Sequence, residues 1–279
     1  MMNELQNKER KQAAIGVFDS GVGGLTVVRE IMHEMPNEKI IYFGDTARVP
    51  YGNKSKETIT RFSKQIARFL QSHNVKTIVV ACNTASAYAI DELEKTLDIP
   101  VIGVVKPGAK MASEITENNR IGVIATEGTI GSGLYNKYIK SLKKEATIYG
   151  KACPLFVPLV EEGLWDDSVT AEIARRYLSE LIDLDIDTLI LGCTHYPLIR
   201  SVIGQVMGGN VSLVNPAYET AIALKQLLEE NDLLRDAEPE ADEPAEFYVS
   251  DGAEKFKRFA DSIIKGGILS AKTVNIEEY

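Results

Sequence analysis

The feature that most constrains this chain is an alternation of short Val/Ile-rich runs with longer amphipathic, charged stretches. Runs predicting strands are Ala14–Phe18, Ile40–Phe43, Thr77–Ala81 and Val101–Val105, then Ile121–Ala125, Ala146–Tyr149, Thr188–Leu191 and Val211–Val214. Helical periodicity lies between them, as at Lys56–Gln71, Ser86–Leu97 and Ala171–Asp183. Strands this uniformly apolar are buried on both faces, and helical crossovers join parallel neighbours. The expected fold class is α/β: mostly parallel sheet flanked by helices.

The two strand series resemble each other. "IGVFDSG" at Ile15 and "IGVIATEG" at Ile121 each open a series with a strand and a polar, glycine-containing turn. Later, "IVVACNT" around Cys82 matches "LILGCTH" around Cys193, at nearly the same offset. The reading is two pseudosymmetric lobes with a cleft between them, the second beginning near Pro107. Asp232–Glu246, rich in Asp, Glu, Pro and Ala, reads as a solvated loop. "FYVSD" then predicts a strand and "GAEKFKRFADSII" a helix, placed beside the first lobe. Lobe one is expected to comprise 1–106 plus 216–279, and lobe two 107–215.

Composition narrows the partners. A net charge of −9 argues against nucleic acid or an anionic membrane, since both want a basic face. No apolar run approaches the roughly 20 residues that span a bilayer. The opening MMNELQNKERKQ is polar, which predicts a short, poorly ordered leader on a cytoplasmic protein. Three cysteines without paired spacing make no disulfide framework, and no C-x-x-C or histidine cluster suggests a metal.

Open α/β sheets bind ligands beyond the carboxyl ends of their strands, so polar residues there carry the functional argument. "FDSGVGGLTVVREI" is a strand, a glycine turn and a helix whose N–H groups suit an anion. With Asp45 ending the next strand, it mimics a dinucleotide fingerprint. Thr26 at the third glycine position and the charge of Asp19 weigh against that reading, and no lysine follows to make a Walker loop. Pro50-Tyr51-Gly52 is a turn able to present backbone groups or the Tyr51 hydroxyl to a ligand. "ACNTAS" and "LGCTHYP" each put a cysteine at a strand end, followed by capping residues. A helix N-terminus favours thiolate, so both cysteines are expected to be activated. Cys153, in "KACPLFVPLV" and without a counterpart in lobe one, reads as structural.

Two thiols facing one ligand suit removal of a proton from one face of a carbon and delivery to the other, as in racemisation at an amino-acid Cα. Asp19 is the expected tuning group for Cys82, and His195 for Cys193. Ser20, Asn83, Thr84, Thr194 and the loop amides are candidates to hold the substrate's carboxylates and ammonium.

"FDSGVGG", "DTxxxPYG", "ACNTA" and "GCTHYP", in this order, closely resemble the glutamate racemases of the aspartate/glutamate racemase superfamily. The resemblance implies Cys82 and Cys193 as catalytic thiols, Cys193 serving L-glutamate and Cys82 the D-isomer. It implies substrate contacts at Asp19, Ser20, Pro50, Tyr51, Gly52, Asn83, Thr84, Thr194 and His195. It adds an acid after "PLVE", Glu161, with Glu162 adjacent, and no cofactor. It also implies a homodimer supplying D-glutamate to bacterial peptidoglycan. "NPAYETA" stands where such enzymes more often carry an aspartate-containing turn. The competing readings are an aspartate or hydantoin racemase, a one-cysteine decarboxylase, a pyridoxal-phosphate racemase and a dinucleotide enzyme. Retention of both cysteines argues against the decarboxylase, and nothing marks Lys54 as a Schiff-base lysine.

Overall fold

The computed structural model describes residues 8–236, 245–268 and 270–279. Its strands in chain order are β1 (Ile15–Asp19), β2 (Ile40–Gly44), β3 (Thr77–Val80), β4 (Val101–Gly103), β5 (Arg120–Ala125), β6 (Thr147–Ala152), β7 (Thr188–Gly192), β8 (Ser212–Val214), β9 (Ala245–Val249) and β10 (Lys272–Thr273). The helices are α1 (Leu25–Glu34), α2 (Lys56–Ser72), α3 (Asn83–Thr96), α4 (Val105–Ile115), α5 (Glu127–Ser132), α6 (Leu134–Leu142), α7 (Phe156–Glu161), α8 (Ser168–Ile182), α9 (Arg200–Met207), α10 (Pro216–Glu230) and α11 (Ala253–Ile263). A shorter helical piece precedes β1 at residues 8–12.

Two parallel sheets form, ordered β10-β9-β2-β1-β3-β4 and β6-β5-β7-β8. The order β2-β1-β3-β4 recurs as β6-β5-β7-β8, so β1 corresponds to β5 and β3 to β7. In each sheet the chain reverses direction of progress beside the first strand, between β1 and β3 and between β5 and β7. Those are the switch points where loops diverge and leave a crevice. The α/β architecture expected from the strand runs is what the chain adopts.

Strand residues alternate between two cores, as period-two geometry requires. Ile15 and Val17 pack with α1, α10 and α11, whereas Phe18, Ile78 and Val80 pack with α2 and α3. In the second sheet Ile121 and Val123 face α4 and α6, while Ile124, Leu189 and Leu191 face α8 and α9. Helix α2 shows the local logic. Ser55 caps it by accepting from the Thr58 amide at 3.3 Å, and Ile59, Phe62, Ile66, Phe69 and Leu70 form one buried face. Each such side chain contributes about 1.5–3 kcal/mol of burial.

Several boundaries differ from the sequence expectation, and capping explains most of them. α3 begins at Asn83 rather than Ser86 because Cys82 itself is the N-cap. α8 begins at Ser168, because Asp167 accepts from the Val169 amide at 2.7 Å. Asn215 caps α10 through the Ala217 amide at 3.1 Å, which accounts for "NPAYETA" at that turn. Pro107 stands within α4, not at a linker, and α4 meets α10 where Gly108 lies against Pro216. Ala245 and Glu246 belong to β9 rather than the acidic loop, whose residues 237–244 lie outside the described residues. β9 pairs with β2, so the C-terminal segment completes the first sheet.

The expected loose leader is corrected in part: residues 8–12 are helical, and residues 1–7 lie outside the described residues. A buried ion pair ties this segment down. Lys76 Nζ lies 2.5 Å from Glu38, both side chains are 1% exposed, and Nζ also donates to the Lys11 and Leu233 carbonyls. The Arg235 amide donates to the other Glu38 oxygen at 2.9 Å. Glu38→Ala would strand the Lys76 ammonium in the core, so urea denaturation should show a loss of about 3–5 kcal/mol. A loss below about 1 kcal/mol would show that the pair holds nothing.

Candidate active site

Both cysteines open onto one cavity of about 470 Å³, walled by loops from both sheets. Of the residues expected there, Ser20, Pro50, Tyr51, Gly52, Cys82, Asn83, Thr84, Glu161, Cys193, Thr194 and His195 all line it. Asp19 lies behind the wall, fully buried at the end of β1. Glu162 does not line this cavity, and Glu161 is the acid that reaches His195.

The first-sheet half is built on the ends of β1 and β3. Cys82 Sγ accepts from the Ala85 amide at 3.5 Å, as the N-cap of α3, and lies 3.6 Å from the Ser20 hydroxyl. Asn83 Oδ1 accepts from the Tyr135 hydroxyl at 2.7 Å, a bond from the first sheet's side of the cavity to α6. Thr84 Oγ1 is 2.9 Å from Thr126 Oγ1 and 3.1 Å from Thr129 Oγ1. The Tyr51 hydroxyl points away from any ligand and donates to Asp45. What the Pro50-Tyr51-Gly52 turn presents to the cavity is therefore backbone and ring.

The second-sheet half centres on the turn after β7. Cys193 Sγ is 3.8 Å from His195 Nδ1, and His195 Nε2 is 3.1 Å from Glu161 Oε1. Thr194 Oγ1 donates to Asp19 at 3.4 Å, and Thr26 Oγ1 donates to the Thr194 carbonyl at 2.9 Å. Gly23 presses against this turn. A Cβ there would lie 2.3 Å from Thr194 Oγ1 and 2.6 Å from the His195 ring, so glycine alone fits.

Sequence reasoning missed Gly21, Val49, Asn53, Thr126, Glu127, Pro154, Val157 and Pro158, which also line the cavity. Thr126 had a signal. It occupies in "IGVIATEG" the register Ser20 occupies in "IGVFDSG", and it caps α5. Pro154, Val157 and Pro158 reach the cavity only through tertiary packing.

The comparisons with known proteins fit this geometry. The family model for Asp/Glu/Hydantoin racemase matches residues 15–224. The chain belongs to that family. It is 50% identical to the glutamate racemase of Geobacter metallireducens, over 95% of this chain and 97% of that one. The crystal structure of glutamate racemase from Francisella tularensis in complex with D-glutamate superposes with a TM-score of 0.89 at 40% identity, covering 96% of this chain and 100% of that one. A glutamate racemase isoform from Bacillus anthracis gives a TM-score of 0.90 at 40% identity, over 95% and 98% of the two chains.

Within this racemase-family site the two thiols sit in opposite electrostatic settings. Burial, reinforced by the negative charge of Asp19, pushes the Cys82 thiol up from 9.0 to about 12. That shift is worth about 4 kcal/mol, against the roughly 0.3–1 kcal/mol a helix N-terminus provides. Desolvation therefore wins, and the expected activation of Cys82 by the helix dipole is corrected: the resting thiol is neutral. Asp19 is no hydrogen-bond partner of Cys82 either, that place belonging to Ser20. Burial raises Asp19 itself, opposed by the charge of His195 and by backbone N–H groups.

His195 behaves differently. Burial disfavours its cation, but hydrogen bonds to Cys193 and Glu161 and the charges of Cys193 and Asp19 outweigh that, lifting it from 6.5 to about 10. The same hydrogen bond holds Glu161 below the usual carboxylate range, against burial. At neutral pH an imidazolium thus bridges Glu161 and the Cys193 sulfur.

A raised folded-state pKa contributes stability that is full below the unfolded value and lost as pH rises through the folded value. The urea midpoint should therefore fall between pH 6.5 and about 10 for the native chain. His195→Asn should remove most of that slope, and an unchanged slope would show that the imidazolium is absent. Gly23→Ala should lower turnover by about 100-fold by displacing the Thr194–His195 turn, measured beside a melting curve that confirms folding.

Proposed function

We propose that the chain interconverts L- and D-glutamate, with the Cys82 and Cys193 thiols as the acid/base pair. The observation that carries this reading is that two cysteines from corresponding strand ends of two like-ordered sheets line one cavity. A proton must leave one face of Cα and another arrive at the opposite face, and one base on one side does not do both. On L-glutamate, the Cys193 thiolate takes the Cα proton and the Cys82 thiol donates its own to the other face. The turn ends with Cys193 as thiol and Cys82 as thiolate, and proton exchange with water or turnover of D-glutamate resets the pair.

The surroundings match the needs of each partner. His195, held as a cation by Glu161, lies beside the sulfur that carries negative charge before reaction on the L-isomer. Cys82 in its buried, anionic setting is a strong base once ionised, as the weakly acidic Cα–H requires. Its hydrogen bonds with Ser20 and the Ala85 amide receive the charge that forms there. Ser20, Asn83, Thr84, Thr194 and the backbone of Pro50, Tyr51 and Gly52 are assigned to the substrate. Asp19 acts from behind, through Thr194 and its charge.

The two sheets are assigned to lobes 1–106 plus 216–279 and 107–215, with the substrate enclosed at their joint. The mechanism uses no cofactor. No helix among the described residues is long and apolar enough to cross a membrane. With the family resemblance, we place the enzyme in the cytoplasm, as a homodimer supplying D-glutamate for peptidoglycan. Glutamate is favoured over aspartate by identity to glutamate racemases across nearly the whole chain.

The test is turnover of L-glutamate in D2O. Deuterium should appear at Cα of the D-product before it appears in the remaining L-pool. Cys82→Ala and Cys193→Ala should each lower racemisation by at least about 1,000-fold, and Cys153→Ala should leave it within about threefold. Near-normal racemisation by either of the first two variants would end the two-thiol mechanism.

A further inference from the structure

The turn that walls the substrate cavity from the first sheet is held from behind by a buried charged hub. Asp45 follows β2 and is fully buried. Its carboxylate accepts from Arg48 Nε at 2.7 and 3.0 Å, from Ser250 Oγ at 2.9 Å and from the Tyr51 hydroxyl. Arg48 Nη1 donates onward to Gln65 at 2.7 Å and to Glu277 at 3.0 Å, and its guanidinium lies 3.9 Å above the Phe62 ring. The Tyr51 ring packs on the same phenylalanine, with centroids 5.8 Å apart.

Neither Asp45 nor Arg48 lines the cavity, yet Val49, Pro50, Tyr51 and Gly52 all do. The far side of this turn fixes its distance to the second sheet. A Cβ on Gly52 would lie 2.8 Å from Thr126 Cβ, and one on Gly128 would lie 3.0 Å from the Gly52 carbonyl oxygen. A wall clamped between a salt-bridged hub and α5 has little freedom to shift without opening the cavity. The hub also gathers chain distant in sequence, Ser250 after β9 and Glu277 near the C-terminus.

We propose that Asp45 and Arg48 are positioning residues for glutamate binding, acting through Tyr51 to hold the Pro50–Gly52 wall. The inference rests on the racemase reading above. The hub touches no reacting atom and lies remote in role from both thiols. It serves ground-state and transition-state binding alike, so its loss raises KM and spares kcat. The same geometry explains why the aspartate that mimics a ribose-binding acid in the sequence binds no ribose: all its acceptor capacity points at this turn.

The test compares Asp45→Asn, Arg48→Gln and Tyr51→Phe for KM and kcat with each enantiomer, beside melting curves. Asp45→Asn and Arg48→Gln should raise both KM values by about tenfold, and Tyr51→Phe by about fivefold, with kcat within about threefold. Asp45→Asn combined with Tyr51→Phe should be no worse than Asp45→Asn alone, because the two side chains share one interaction. A purely structural role would lower the melting temperature and the active fraction, and hence apparent kcat, leaving KM unchanged. Unchanged KM, or additive losses in the double variant, would overturn the proposal. Tyr51→Phe removes one hydroxyl and keeps the ring, so it decides the matter even where Asp45→Asn does not fold. If the native chain racemises no glutamate, the functional reading fails first. If it racemises and the variants keep native KM, the positioning role alone fails.

Discussion

The joint between the glycine loop after β1 and the Cys193–His195 turn after β7 is the contact on which the rest of the site depends. Gly23 lies against Thr194 and His195 with no room for a Cβ, and Thr26 and Asp19 bond the backbone and side chain of Thr194. Each sheet alone would end in an open crevice at its switch point. Pressed together here, the two crevices become one cavity with a thiol from each side. The bonds Tyr135 to Asn83 and Thr84 to Thr126 close its other flank.

Enclosure sets the electrostatics. Water removed from strand ends leaves Asp19, Cys82, Cys193 and His195 to govern one another's charge in a low-dielectric pocket, where each interaction is stronger than at a surface. The scaffold is pseudosymmetric but the charges are not. Cys82 has an anion and a hydroxyl nearby, whereas Cys193 has an imidazolium anchored by Glu161. One proton distributed over two unlike thiols suits a reaction that must run from either enantiomer, since each direction begins with the opposite member ionised.

The parts of the site legible in the sequence were those carried by local rules. Short apolar runs gave the strands, and residues after a strand end gave Ser20, Asn83, Thr84, Thr194 and His195. The two matching cysteine strings paired Cys82 with Cys193. What misled were local rules that lost to longer-range energies. The helix terminus at Cys82 is a weak field beside the cost of burying a thiolate near Asp19. Asp45 has the spacing of a ribose-binding acid but spends its acceptors on Arg48, Tyr51 and Ser250. Thr126 was readable from the repeat, whereas Pro154, Val157 and Pro158 carried no pattern that distinguished a cavity wall from a core.

By itself the sequence determined that this is a parallel α/β chain with two like series of strands, each ending a corresponding strand in a cysteine. Those properties follow from hydrophobic period and turn chemistry, which act over a few residues. Only the tertiary structure decided which charges surround each thiol and which acid reaches His195. It also decided that Asp19 stands behind the cavity rather than in it. Those outcomes depend on desolvation and on contacts between residues far apart in the chain, such as Thr194 with Asp19 and Arg48 with Glu277, and neither quantity exists until the two sheets have come together.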